Sequence, residues 1–163
     1  MIDNWLYAPE RMSWVTKPKT ATKKCVFCGI VKGSHKDLVL HRTKDFMVIM
    51  NLYPYNTGHI QILPKEHVTS IEKLTDRQLA EMFILVKRCV KLLKKVLRPV
   101  GFNMGINQGG TVSGASIDHL HFHIVPRFRT DFGFFEMVSH SKALPERVQD
   151  TYRRLKKEIS ILE

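Results

Sequence analysis

Three histidines, His119, His121 and His123, alternate with Leu120 and Phe122. Alternate residues of a β-strand share a face, so this spacing stands three imidazoles in a row and turns the apolar pair toward a core. A lone strand histidine is most simply a packed structural residue. Three on one face are hard to arrange without use, because buried imidazoles need partners and repel one another once protonated. A neutral imidazole is also a competent nucleophile near neutral pH, and a covalent intermediate on it splits one difficult displacement into two easier ones. A second chemical pattern lies upstream, where Cys25 and Cys28 have the spacing of a zinc knuckle. Thiolates and imidazoles together make a tetrahedral shell that needs two more ligands. The plainer alternative is a pair of packed, reduced thiols.

These residues need elements to position them. Five segments read as strands from their β-branched and large apolar residues: LVLHRT at 38–43, FMVIMN at 46–51, HIQILPK at 59–65, FNMGIN at 102–107 and HLHFHIVPR at 119–127. Lys44-Asp45 and the stretch from Tyr53 to Gly58 supply turns. Thr75-Asp76-Arg77-Gln78 has the capping-box form and opens a helix over 76–98, which Pro99 and Gly101 stop. Leu79, Met82, Phe83, Val86, Cys89, Val90, Leu93 and Val96 form its apolar stripe, so Cys89 is read as a core residue. Lys87, Lys91, Lys94 and Arg98 line another face, most simply a solvated one. Val148, Tyr152, Leu155, Ile159 and Leu162 predict a C-terminal helix, with Pro145 in its first turn. Residues 1–24 read as an N-terminal arm and a polar, basic linker, and 25–163 as one domain. Short connections between strands point to an α+β architecture, an antiparallel sheet with helices against it.

The chain has 163 residues, 44% of them hydrophobic, enough to bury one core. No apolar run approaches a bilayer span, and the N-terminus lacks a signal-peptide layout, so a cytoplasmic protein without membrane contact is expected. Three cysteines, two in one C-x-x-C, favour metal over a disulfide framework. Lysine and arginine outnumber the acids 26 to 15, a formal charge of +11 that should draw anions, phosphate among them.

The run Asp118-His119-Leu120-His121-Phe122-His123-Ile124-Val125-Pro126-Arg127 resembles the signature of the histidine triad (HIT) family. The match extends to Asn51 through Gly58-His59-Ile60-Gln61-Ile62-Leu63-Pro64-Lys65-Glu66-His67 and to Gly101-Phe102-Asn103-Met104-Gly105-Ile106-Asn107-Gln108-Gly109. The opening Trp5-Leu6-Tyr7-Ala8-Pro9-Glu10-Arg11-Met12 is similar to the start of a branch related to diadenosine tetraphosphate phosphorylases and fragile-histidine-triad hydrolases. The resemblance implies a five-stranded antiparallel HIT-like sheet with a long helix and a C-terminal helix.

It also implies roles. His121 is the nucleophile toward a nucleotide's α-phosphorus, His123 orients and polarises it, and His59 donates to a phosphate oxygen. His119 either acts on the leaving group or ligates zinc. Asn107, backbone amides around Gly109, Gly110 and Gly114, and the hydroxyls of Ser113 and Ser116 hold the phosphate oxygens. Asn51 takes the ribose hydroxyls or caps a turn. A structural zinc is completed by His67 and His119 beside Cys25 and Cys28. Departures from the family pattern, a loop from Asn107 to Ser116 one residue longer and a loosely matching FRTDFGFFE at 128–136, leave the leaving group open.

The expected activity is a nucleotide hydrolase or transferase acting on a dinucleoside polyphosphate, with inorganic phosphate as a possible co-substrate, in a homodimer joined through the long helix and a strand edge. Within the same chemistry the alternative is a nucleoside phosphoramidase or adenylyl hydrolase. From another class, a non-catalytic nucleotide- or nucleic-acid-binding module fits the charge, and would lose affinity steeply with salt if it held a polynucleotide. No recognition helix or aromatic single-strand platform supports it.

Overall fold

A computed structural model of the chain describes residues 25–34, 38–110, 118–129, 131, 138 and 144–163. The expected arm at 1–24, the loop residues Ser113, Gly114 and Ser116, and most of 128–136 lie outside the described residues.

The fold is α+β: a short helix, α1 (Val26–Val31), then strands β1 (Val39–Arg42), β2 (Phe46–Met50) and β3 (Ile60–Pro64), a long helix α2 (Asp76–Leu97), strands β4 (Gly101–Asn107) and β5 (His121–Arg127), and a C-terminal helix α3 (Val148–Lys156). The strands form one sheet in the order β1-β2-β3-β5-β4, every neighbouring pair antiparallel. Each strand has two faces. Leu40, Phe46, Val48, Met50, Ile60, Ile62, Phe122 and Ile124 pack beneath α2 and the C-terminal segment, while Val39, Met47, Ile49 and Leu63 meet Phe27 and Ile30 of α1. Covered on both sides, β2 and β3 are buried along their whole length, which explains their unbroken apolar runs.

Helix α2 starts where the capping box predicts, Thr75 and Gln78 satisfying each other's orphan amides. It ends at Arg98, which takes the left-handed conformation (φ 53°) one residue before Pro99. Its buried row is Met82, Leu85, Val86, Cys89, Leu92 and Leu93. Phe83, expected in the stripe, lies at the row's edge, 54% exposed with its ring against Phe122. Leu85, wide of the expected stripe, is in the core instead. The C-terminal helix begins later than expected: its N-cap is Arg147, so Pro145 precedes the first turn. From α3, the Tyr152 hydroxyl donates to the Val39 carbonyl (3.2 Å) and the Lys156 ammonium to the Leu40 carbonyl (2.7 Å), satisfying acceptors at the β1 edge where the ladder bulges. Among the described residues, no helix is long and apolar enough to cross a membrane.

Candidate active site

Strand pairing brings the chemistry together. The β3–β5 register sets Gln61 opposite His123, and the β4–β5 register sets Gly105 opposite His123 and Asn107 opposite His121. His59, immediately before β3, has the same parity as Gln61 and joins this face. Its approach is shaped by Gly58, at φ +79°, where an added Cβ would lie 2.4 Å from Leu97 Cδ1. The preceding turn is anchored by buried Asn56, whose amide donates to the Pro126 carbonyl (2.8 Å) and to Asp131 (2.7 Å) and whose Oδ1 accepts from the Thr57 amide (3.0 Å).

The hydrogen bonds settle which nitrogens carry protons. His121 Nδ1 lies 2.7 Å from the carbonyl oxygen of His119, so it donates there and Nε2 keeps its lone pair. The backbone amide of Tyr55 donates to His59 Nδ1 (3.1 Å), which puts the His59 proton on Nε2. That nitrogen donates to His123 Nδ1 (2.8 Å), so His123 carries its own proton on Nε2. Gln61 Nε2 reaches the same acceptor at 3.4 Å. Tyr55 also stacks on His59, with ring centroids 5.0 Å apart. Burial, and then the charges of neighbouring imidazoles, hold His59 down to about 3 and His123 down to about 4. Burial likewise lowers His121, partly opposed by its bond to the backbone. All three are therefore neutral at pH 7.

His59 thus faces His123, its Nε2 proton already engaged, where the sequence suggested a donor aimed at phosphate. Asn51, expected at a ribose, directs its amide to His59 Nδ1 (3.1 Å), and its Oδ1 accepts from the Tyr53 amide (3.1 Å), which is the turn-capping alternative. Gly109 and Gly110 both adopt positive φ, 96° and 60°, beyond the end of β4.

His119 leaves the expected row. It sits before β5 begins, where the Leu120 amide bonds the Val68 carbonyl (2.7 Å) rather than a neighbouring strand. Its Nε2 donates to the Pro64 carbonyl (3.0 Å), and its Nδ1 faces Cys25 Sγ at 3.4 Å and Cys28 Sγ at 3.7 Å. His67 Nδ1 lies 3.3 Å from Cys28 Sγ. One ligand atom from each of Cys25, Cys28, His67 and His119 falls within 4.8 Å of the others, a cluster that could hold a metal ion. The donor set fits a tetrahedral ion: two sulfurs, two ring nitrogens, and a second-sphere carbonyl that fixes the His119 tautomer. Burial, then the adjacent Cys25 thiol, pushes the Cys28 thiol up. Cys89 is fully buried, its thiol pushed up to about 12, and is a core residue as read.

Sequence reasoning passed over Phe27, Gln61, Tyr55 and Asn56. Only Gln61, a polar residue inside an apolar strand, carried a signal of its own.

The HIT domain model matches residues 32–130. An AP-4-A phosphorylase of Mycobacterium tuberculosis is 35% identical over 158 residues, covering 92% of this chain and 81% of that protein. An adenosine 5'-monophosphoramidase of Schizosaccharomyces pombe is 31% identical, over 67% of this chain and 78% of its own length. Among solved structures, a zinc-bound histidine triad family protein from Mycobacterium smegmatis superposes with a TM-score of 0.69 at 26% identity, over 85% of this chain and 94% of that one. With its histidine strand, its sheet order and these matches in agreement, the chain belongs to the HIT-domain, or histidine triad, family.

Proposed function

We propose that the protein is a nucleotide hydrolase or transferase that cleaves the α-phosphate linkage of a dinucleoside polyphosphate through a covalent nucleotidyl intermediate on His121. One observation carries this reading: His121 gives its Nδ1 proton to the His119 carbonyl, leaving a neutral Nε2 lone pair beside an imidazole that is protonated on Nε2. In the first step Nε2 of His121 forms a bond to the α-phosphorus while the bond to the leaving oxygen breaks, that oxygen taking the electron pair. His123 Nε2–H stabilises the charge that develops on oxygen. In the second step water or inorganic phosphate attacks the adduct and His121 departs with its electron pair. His59 and the Tyr55 amide keep His123 in the donor tautomer, and Gln61 supports the same acceptor.

Asn107, opposite His121, the backbone at Gly109 and Gly110, and Ser113, Gly114 and Ser116 are the proposed phosphate donors, while Asn51 caps its turn and holds His59. Cys25, Cys28, His67 and His119 would hold a structural zinc, which supplies a rigid tetrahedral clamp between the N-terminal knuckle and the histidine strand. His119, so engaged, takes no part in proton transfer.

The phosphorylase relative supports the dinucleoside substrate and inorganic phosphate as the second-step nucleophile. The monophosphoramidase relative favours a second reading, in which an amine is the leaving group. A reducing, cytoplasmic setting suits the free thiols. A homodimer through the outer edge of β4 suits Met104, Phe83 and Ile84, all half-exposed. Incubation with diadenosine tetraphosphate, with and without phosphate, and with adenosine phosphoramidate tests the reading. Turnover of the tetraphosphate that disappears in His121→Ala, nucleotide binding being kept, is expected. Near-wild-type turnover in that variant refutes it.

A further inference from the structure

We infer that Asp131, just beyond the end of β5, is a positioning residue that holds the proton arrangement of the His59–His123 pair by fixing the turn before β3. The inference rests on the reading of His123 Nε2–H as the donor to the leaving oxygen. The bond between His59 Nε2 and His123 Nδ1 can be made in two ways. If His59 donates, His123 keeps its proton on Nε2 and meets the substrate as a donor. If both rings move their protons to Nδ1, His123 donates to His59 instead. The bond between the rings survives, but His123 Nε2 is then a bare lone pair and the donor is lost. The choice is made at His59 Nδ1, where the Asn51 side-chain amide and the Tyr55 backbone amide each lie 3.1 Å away and require a lone pair.

Both of those donors sit in one turn, and Asn56 ties that turn to the end of β5. The buried Asn56 side chain gives one amide hydrogen to the Pro126 carbonyl (2.8 Å) and the other to Asp131 Oδ1 (2.7 Å), while its own Oδ1 accepts from the Thr57 amide (3.0 Å). An ionised carboxylate only accepts, so Asp131 dictates which end of the Asn56 amide faces it. Asp131 is itself firmly held. Its side chain is 9% exposed and also accepts from Arg127 Nε (2.6 Å) and the Phe128 amide (3.0 Å). Arg127 Nη1 in turn reaches Asn103 Oδ1 on β4 (2.8 Å). The strand that carries His121 and His123 is thus tied, at its far end, to the turn that sets their neighbour's proton.

Asp131→Asn sets an NH2 against a donor whichever way it turns, because Asn56 lies on one oxygen and Arg127 and Phe128 on the other. Asp131→Glu keeps an acceptor. Two controls accompany them: Cys89→Ala removes buried volume from the core beneath α2, and Asn103→Ala cuts the outer arm of Arg127 without touching Asn56. Melting temperature, kcat and KM are measured for each, and the ring nitrogens of His59 and His123 are followed by proton–nitrogen NMR. The unsubstituted protein should show Nε2 protonated and Nδ1 unprotonated on both rings, with the Asn56 side-chain amide protons slow to exchange. Asp131→Asn should average the nitrogen signals of both rings and lower kcat by about tenfold, with KM within about threefold. Asp131→Glu should restore both tautomers and most of kcat. Cys89→Ala should lower the melting temperature, and neither control should alter tautomers or kcat. Unaltered tautomers in Asp131→Asn, averaged ones in either control, or rapid exchange of the Asn56 amide in the unsubstituted protein overturns the inference, the last without any variant having to fold. Absence of turnover in the unsubstituted protein would instead refute the donor reading, and the ring-nitrogen comparison would still decide the role of Asp131.

Discussion

Burying His59 as a neutral imidazole makes folding stability depend on pH in a way that His59→Gln should remove. In the folded protein the ring is held to about 3, mainly by burial and then by the nearby His123 and His121, against an ordinary value of 6.5 in the unfolded chain. The folded pKa is the lower one, so protons bind the unfolded chain preferentially. The stabilisation is complete above pH 6.5, falls as pH drops through that value, and reaches its floor only near the folded pKa. Between pH 7 and 5.5 the unfolded imidazole goes from mostly neutral to mostly charged while the folded one stays neutral, a loss of about 1.2 kcal/mol from this residue alone. The figure is insensitive to the folded value, provided that lies well below 5.5. Urea unfolding followed by far-ultraviolet circular dichroism at the two pH values gives the loss for each protein. Comparing the two proteins cancels contributions they share, including acid protonation of the cysteine cluster. Glutamine can still accept the Tyr55 amide, so His59→Gln should lose about 1.2 kcal/mol less than the unsubstituted protein over this interval. Equal losses in the two would refute the assignment of His59 as a buried neutral ring.

Two further outcomes follow from particular contacts. Gly58→Ala places a Cβ against Leu97 Cδ1 at a residue with φ +79°, so strain and overpacking together should cost about 2–4 kcal/mol, read as a fall in melting temperature. Cys25→Ser should remove the metal, expected at about one per chain in untagged protein, and lower the melting temperature. Unchanged metal content and melting temperature in that variant would eliminate the site.

Strand and helix placement was readable wherever a local signal existed. The Thr75–Gln78 cap, the stop at Pro99 and the five apolar runs each act through neighbours in sequence, and the corresponding elements form there. Cys89 was readable from its place in a helical stripe. The C-terminal helix was readable in kind, but Pro145 drew its start too early, because the cap depends on the Arg147 carbonyl accepting from Asp150 and Thr151. What could not be read was settled by contacts across the fold. Alternation placed His119 in the histidine row, whereas a backbone bond from Leu120 to Val68 and the pull of Pro64 turn its ring toward the cysteines. The proton arrangement of His59 and His123 hangs on the donors that converge on His59 Nδ1, the Tyr55 backbone amide and the Asn51 side chain, a convergence no residue pattern encodes. Phe27 carries no signal in the sequence, and only the fold sets it against two imidazoles.

The central claim is that His121 becomes covalently nucleotidylated. A phosphorus–nitrogen bond to imidazole is labile to acid and survives base, so the direct measurement is a rapid alkaline quench during turnover of diadenosine tetraphosphate, followed by peptide mass analysis. The account predicts an added nucleoside monophosphate, removed by acid, on the peptide containing His121 and localised to that residue. Product formed in the first turnover with no such mass on His121, or with it on another residue, would contradict the account.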